Sequence, residues 1–118
     1  MLGEGGAVEA LTLLVPLLGD RMAGVRTTAA LAIDSIHQSL DESGRGHVVA
    51  TAMLDLPEEA RASVRELVEN EDPAIARAAT GLAALIGDPK AVRPALRRMD
   101  DPVVFERALG LVARLGST

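Results

Sequence analysis

Several residue types are missing or almost missing from this chain of 118 residues. It has no cysteine, no tryptophan and no tyrosine, and Phe105 is its one aromatic residue. The absence of cysteine excludes disulfides, thiolate metal ligands and a cysteine nucleophile, and it fits a reducing cytoplasm. The scarcity of aromatic residues disfavours a β-sandwich, because strands favour aromatic and β-branched residues.

Long apolar runs are also missing. The most apolar stretch, residues 11–18, is interrupted by Thr12 and Pro16. It is far shorter than the roughly 20 residues that a membrane-spanning helix needs. The first residues lack the positive region and the continuous apolar stretch of a signal peptide. We therefore expect a cytoplasmic protein that makes no membrane contact.

Alanine, leucine, valine and isoleucine supply almost all of the apolar residues, which make up 48% of the chain. Alanine and leucine are the strongest helix formers, so a core built from them suits closely packed helices. A chain of this length forms one domain with a single core. The composition therefore predicts a single all-α domain.

An apolar pattern recurs three times, with steps of 8, 4 and 7 residues in each copy. Equivalent positions lie 50 residues apart between the first two copies and 29 apart between the last two. Self-similarity at such periods is typical of stacked repeat proteins. The three sets are Leu17, Val25, Ala29, Ile36; Leu67, Ile75, Ala79, Ile86; and Leu96, Val104, Ala108, Leu115.

Proline and glycine mark helix boundaries that agree with the apolar pattern. An Asp-Pro pair at 72–73, 88–89 and 101–102 predicts three helix starts, with Asp72 as an N-cap. Gly87 and Gly116 are predicted helix ends, and the helix that begins at 88–89 is predicted to run to about Met99. A helix over residues 7–18 is expected to kink at its internal proline.

Two further glycines, Gly81 and Gly110, occupy equivalent positions in the middle of predicted helices. Such a glycine costs about 1 kcal/mol relative to alanine. Its recurrence predicts that a neighbouring helix approaches too closely to leave room for a side chain.

These signals divide the chain into units at about 7–40, 57–87 and 88–116, with an insertion at 41–57 that contains a short helix. Insertions in repeat proteins often lie on the binding face. The alternative, which we favour, is an extra helix packed over the exposed side of the first unit.

Each unit resembles the HEAT-repeat superfamily, in particular the short bacterial HEAT-like repeats of the phycobilisome lyase type. The resembling stretches are residues 13–36, 67–96 and 97–116, and the segment GDPKAVRPAL is especially similar. The resemblance implies a right-handed α-solenoid of about three repeats, with second helices on the inner, concave surface. It also implies that the chain binds a protein partner.

The family's Val-Arg pair after the turn is matched by Val25-Arg26 alone. Arg77 comes one place late in the second unit, and Arg107 comes three places after the valine of the third. A regular Asp–Arg ladder between units is therefore not expected. The partner contacts that the resemblance implies on the inner surface are Arg26, Thr27, Arg77, Arg107 and Arg114.

Basic residues cluster in the last unit, where residues 89–118 carry six basic against three acidic residues. Lys90, Arg93 and Arg97 share one helix face, with Arg98 beside it, and could bind an anion or nucleic acid. The net charge of −5 and the lack of stacking aromatics disfavour nucleic acid. A solvated outer face is the interpretation that we favour.

The two histidines offer little catalytic chemistry. His37 with Asp34 and Asp41 could contribute to a metal site. Ser43, His47 and Asp41 are the residue types of a hydrolase catalytic triad. No nucleophile elbow surrounds Ser43. We therefore expect no metal, no cofactor and no enzymatic activity.

The last helix is more apolar than one neighbour would cover. We expect it to form a homodimer through Val104, Leu111, Val112 and Leu115, and we expect replacement of Val104 and Leu111 by glutamate to yield a monomer.

The function that we predict is a non-enzymatic scaffold or adaptor. The alternatives are a polyanion-binding protein that uses the basic helix over residues 90–98, and an accessory subunit of a lyase-like enzyme. The latter follows from the resemblance alone.

Overall fold

Helices make up most of the chain in the computed structural model, which describes residues 4–98 and 100–116. These ranges contain seven α-helices, two 3-10 helices and no strand, so the prediction of an all-α protein is confirmed. The α-helices are α1 (Glu4–Leu14), α2 (Ala23–Glu42), α3 (His47–Ala52), α4 (Glu58–Val68), α5 (Pro73–Ile86), α6 (Val92–Leu96) and α7 (Pro102–Gly116). The 3-10 helices are Val15–Gly19 and Pro89–Ala91. Within the described ranges, no helix combines the length and the apolar content needed to cross a bilayer.

Aspartate caps the start of each Asp-Pro helix, as predicted for Asp72. The side chains of Asp72, Asp88 and Asp101 each accept a hydrogen bond from the backbone N–H two residues later, at 3.0, 3.0 and 2.9 Å. Gly87 ends α5 with a φ of 69°, a left-handed conformation that glycine adopts without steric cost. Helix α7 is described as far as Gly116.

Two predicted helices are interrupted where proline removes a backbone donor. The first was expected over residues 7–18 with a kink, but α1 ends at Leu14 and Pro16 lies at the start of a separate 3-10 helix. Pro94 has no N–H to bond the carbonyl of residue 90. The helix expected from residue 89 to 99 accordingly begins as the 3-10 helix Pro89–Ala91 and continues as α6. Met99, its predicted end, lies outside the described residues.

The insertion contributes a packed helix. Helix α3 contacts α1, α2 and α5. Val49, Met53 and Leu56 of the insertion are all buried. These three side chains of the insertion therefore belong to the core.

Helix α5 is central, since it packs against α2, α4 and α7. The second helices of the predicted units contact one another in chain order, α2 with α5 and α5 with α7. The first helices do the same, because the 3-10 helix Val15–Gly19 contacts α4, which contacts α6. Buried alanines allow the helix backbones to come close: Ala29, Ala30, Ala76, Ala78, Ala79 and Ala83. Large buried side chains such as Leu18, Ile33 and Leu82 each contribute about 1.5–3 kcal/mol by leaving water.

Candidate protein-interaction surface

The residues predicted to contact a partner lie on α2, α5 and α7. Arg26 and Thr27 are half-buried near the start of α2, and Nη1 of Arg26 donates to the carbonyl oxygen of Asp20 at 2.7 Å. Arg77 is half-buried in the second turn of α5. Arg114 is exposed in the last turn of α7, where it lies against Gly87.

Arg107 of α7 reaches across α5 to α2. Its Nη1 atom lies 3.3 Å from both carboxylate oxygens of Asp34, a residue of α2 that is 73 positions away in sequence. The same nitrogen donates to the backbone carbonyl of Arg77 on α5. We call Arg107, Asp34 and the Arg77 carbonyl the arginine bridge. Because the side chains of Arg107 and Asp34 are only 22% and 16% exposed, the pair is partly shielded from water.

Gly81 provides the space that the arginine bridge occupies. A Cβ added to Gly81 would lie 3.1 Å from Nη1 of Arg107 and 3.1 Å from Oδ1 of Asp34. The close approach predicted for this glycine is therefore present, although charged side chains make it and not a helix backbone. The prediction is wrong for Gly110, whose added Cβ would meet none of the described atoms within 4 Å.

A second ionic contact links α5 to the start of α7. Nε of Arg77 lies 3.2 and 3.0 Å from the two carboxylate oxygens of Asp101. Partial desolvation acts to raise the pKa of Asp101. The hydrogen bonds from Arg77 and from the backbone N–H groups of Val103 and Val104 outweigh it, so that this pKa lies below its ordinary value. Asp101 is therefore ionised at neutral pH.

A matching pair links α4 to the turn before α6, with Nη1 of Arg65 2.7 Å from Oδ2 of the buried Asp88. Hydrogen bonds to Glu58 and Asp88 raise the pKa of Arg65. Arginine–aspartate pairs thus do connect successive units, although the sequence positions are irregular. The long arginine side chain can reach its partner from more than one position on a helix.

A polar cleft of about 200 Å³ continues the surface between α2 and α4. It is lined in part by Arg26, Thr27, Glu66 and the buried Ser63. The Ser63 hydroxyl has no hydrogen-bond partner among the described residues. The sequence analysis missed Ser63, but its spacing from Leu67, one helical turn away, places it on the apolar face of α4 and could have indicated its burial.

The proposed anion-binding residues face carboxylates and a carbonyl of the same chain. Arg97 forms an ion pair with Glu69, Nζ of Lys90 lies 3.8 Å from Glu58, and Arg98 donates to the carbonyl of Asn70 at 2.7 Å. Arg93 is exposed on α6. The helix α6 itself has five residues. Much of the positive charge predicted to meet an anion is therefore compensated within the molecule.

Two of the catalytic and metal candidates, Asp34 and Ser43, bond to other groups of the chain. Asp34 binds Arg107 in the arginine bridge, and the Ser43 hydroxyl donates to the carbonyl of Leu40 at 2.9 Å. His37 and Asp41 both lie close to the buried Gly46. Among the described residues, no group of three or more histidine, aspartate or glutamate side chains is arranged to hold a metal.

The self-association prediction is wrong for two of its four residues. Val104 and Leu111 are fully buried within the chain itself, whereas Val112 is exposed and Leu115 is half-buried. Glutamate at Val104 and Leu111 would place charges in the core, so this double change would unfold the protein instead of releasing a monomer. The large apolar side chains that α7 exposes are Phe105, Leu109 and Val112.

Comparisons of this chain with protein-family models, with curated proteins and with solved structures found no match. In its described residues the protein is all-helical, and long-range contacts of Arg77 and Arg107 link the three helices α2, α5 and α7.

Proposed function

We propose that this chain is a non-enzymatic helical-repeat scaffold of the HEAT-like type that binds a protein partner across α2, α5 and α7. The helix contacts support a two-layer α-solenoid, because first helices contact first helices and second helices contact second helices in chain order. Such repeats stack into extended surfaces, and binding is their usual role.

The observation that carries the proposal is the arginine bridge. It connects the second helices of all three units, from Asp34 on α2 over Gly81 on α5 to Arg107 on α7. This contact holds polar groups of three helices at fixed positions before any partner arrives. A surface ordered in advance loses less conformational entropy on binding, which favours affinity.

The partner that this surface suits presents carboxylates. Arg77 is 43% exposed and is held through its Nε atom, while Arg26 is held through Nη1 beside the polar cleft. Guanidinium groups bind carboxylates in two-point geometry and resist desolvation less than ammonium groups do. An acidic segment of a protein would therefore complement α2 and α5.

Polyanion binding through the basic helix is the weaker alternative, because Lys90 faces Glu58 at the start of α4 and Arg97 faces Glu69, the residue that follows α4. An accessory role in a lyase-like enzyme has no specific contact in its favour.

Affinity capture of the tagged chain from lysate of its source organism, with and without nuclease, tests the proposal. We expect one recurrent protein partner that survives nuclease. The double change of Arg26 and Arg77 to alanine should reduce its recovery at least tenfold, while the variant keeps its helical circular-dichroism spectrum.

The control is Arg93→Ala, which removes one positive charge, against two in the double variant, from an exposed position on α6. Recovery should be unchanged by this control. Loss of the captured proteins after nuclease, or equal loss with Arg93→Ala and with the double variant, would contradict a protein partner on α2 and α5.

A further inference from the structure

The side chain of Ser63 lies in the polar cleft between α2 and α4. It is only 5% exposed, and its hydroxyl has no hydrogen-bond partner among the described residues. By contrast, Thr12 and Thr51, which line an apolar groove between α1 and α3, each donate to the carbonyl four residues earlier in their own helix, at 2.9 Å. A buried hydroxyl without a partner costs free energy, and a ligand that bonds to it recovers that cost. The hydroxyl of Ser63 is therefore available to a ligand that enters the cleft.

The cleft extends along α4 on both sides of Ser63. One part, of about 200 Å³, reaches Asn70, and the other, of about 280 Å³, reaches Glu59. Arg26, Ser63 and Glu66 line both parts, so that the two are continuous. Positions 59, 63 and 66 are spaced by four and then three residues, which places them on one face of α4. Each glutamate is thus one helical turn from the serine.

Carboxylates outnumber cations in this cleft. Asp20, Glu59 and Glu66 line it, against the single guanidinium of Arg26. Glu59 and Glu66 form no ion pair within the described residues, unlike the arginine-bound Glu58. The cleft therefore attracts a cation, whereas the carboxylate of a ligand would meet three like charges there.

From the unpartnered hydroxyl and the unpaired carboxylates beside it, we infer that the cleft binds the guanidinium group of an arginine of the protein partner. The guanidinium N–H groups donate to the carboxylates of Glu59 and Glu66 and to the Ser63 hydroxyl oxygen. A guanidinium suits this arrangement better than an ammonium, because it has five donors in a planar fork and is more weakly hydrated.

The inference rests on the proposed function for the molecule that carries this arginine. It also narrows the chemistry of that partner. A segment that places carboxylates on Arg26 and Arg77 carries an arginine next to them, so that its charge is mixed and not purely acidic.

NMR titration of the isotope-labelled chain with N-acetyl-arginine amide tests the cleft without any partner. At low salt, the probe should cause saturable shifts in the backbone amide signals of residues 59–67 on α4. N-acetyl-citrulline amide, in which a neutral urea replaces the guanidinium, should cause none. Because no captured protein is needed, this titration can succeed or fail independently of the proposed function.

Substitutions on α4 locate the binding. Glu59→Gln with Glu66→Gln should weaken it about tenfold, since this double change removes both unpaired charges. Ser63→Ala should weaken it about threefold without lowering the free energy of unfolding, because the hydroxyl that it removes has no partner. The matched control, Glu9→Gln with Glu106→Gln, removes two exposed carboxylates that line neither part of the cleft, and it should bind the probe as the wild type does.

Arg26→Met distinguishes a cation site from a carboxylate site. The change removes the positive charge that repels a guanidinium, so the arginine probe should bind more tightly. A cleft that takes carboxylates requires the opposite result: acetate should bind there, and Arg26→Met should abolish that binding.

Any of three results would overturn the inference. One is the lack of saturable shifts with the arginine probe at tens of millimolar. Another is acetate that binds in the cleft and is lost with Arg26→Met. The third concerns the partner captured from lysate: if Glu59→Gln with Glu66→Gln recovers it as well as the matched control does, the partner does not supply the arginine.

Discussion

At Gly81, the lack of a Cβ leaves room for charged side chains from two other helices. Arg107 and Asp34 occupy that room and are each within 3.1 Å of where a Cβ would lie. Gly110 holds the equivalent sequence position, yet open space surrounds it among the described residues. Two glycines that look alike in sequence therefore have different physical roles.

Alanine at the two glycines should have different effects on stability. Gly110→Ala is expected to raise the free energy of unfolding by about 0.5–1 kcal/mol, because alanine is the better helix former. Gly81→Ala should gain little or nothing, since Arg107 and Asp34 must shift by a few tenths of an ångström to admit the methyl group. Urea unfolding of both variants measures the difference.

The control is Gly81→Ala in a background that already carries Arg107→Ala. Without the bridge, the alanine at position 81 should stabilise as much as the alanine at position 110. Equal gains for the two glycines in the wild-type background would show that the bridge does not depend on the space at Gly81.

At the scale of elements, the carboxylate of Asp101 makes two contacts at the beginning of α7. Asp101 accepts from the backbone N–H of Val103 and pairs with the side chain of Arg77 on α5. The N-cap could be predicted from the Asp-Pro pair, since a cap is local. The pairing could not, because it depends on where α5 lies relative to the turn.

Replacement of Asp101 by asparagine separates these two contacts. Asparagine keeps an N-cap acceptor but removes the charge that Arg77 binds. The pKa of Asp101 is lowered in the folded protein, so its charge contributes stability above its ordinary pKa and loses this contribution as the pH falls through the lowered value. Asp101→Asn should therefore be less stable than the wild type at pH 7, and this difference should shrink as the pH falls below the ordinary aspartate pKa of about 3.9.

Thermal unfolding from pH 2.5 to 7 checks this expectation, with Asp100→Asn as a control at the exposed neighbouring position. A stability difference that does not change with pH would mean that the cap, and not the ion pair, is what asparagine disturbs.

On the scale of the whole molecule, the arginine bridge couples the first unit to the last. Asp34 and Arg107 are separated by 73 residues, and the contact passes over α5, which itself packs on α2, α4 and α7. Because both side chains are largely shielded from water, the pair is less screened than the ion pairs on the surface.

A double-mutant cycle with Arg107→Met and Asp34→Ala measures this coupling. Each single change is expected to lower the free energy of unfolding by about 1–2 kcal/mol, since each leaves a partly buried charged group without its partner. We expect a coupling energy of about 1 kcal/mol from chemical denaturation.

The exposed pair Arg97 and Glu69 supplies the comparison, with an expected coupling of no more than about 0.5 kcal/mol. If the two cycles gave the same coupling energy, the arginine bridge would be an ordinary surface ion pair and would not couple α2 to α7.

Local patterns of the sequence were enough to predict the all-α class, the starts of α5 and α7 and the glycine end of α5. Each of these depends on residues a few positions apart, whose backbone preferences and hydrogen bonds act within a single element. Two of the four residues predicted to mediate self-association, Val104 and Leu111, are buried within the chain, because an apolar run alone does not show which side of a helix meets its neighbour. The side chains of Val104 and Leu111 are buried, whereas those of Phe105 and Leu109 are exposed.

Only the tertiary structure decided which distant groups meet. The placement of helices that are far apart in sequence determines three features of the structure. They are the arginine bridge from Arg107 to Asp34, the space that Gly81 leaves for it, and the groove between α1 and α3. The spacing of apolar residues indicates that the units stack, but it does not determine which polar side chains of separate helices meet, since apolar burial is not directional.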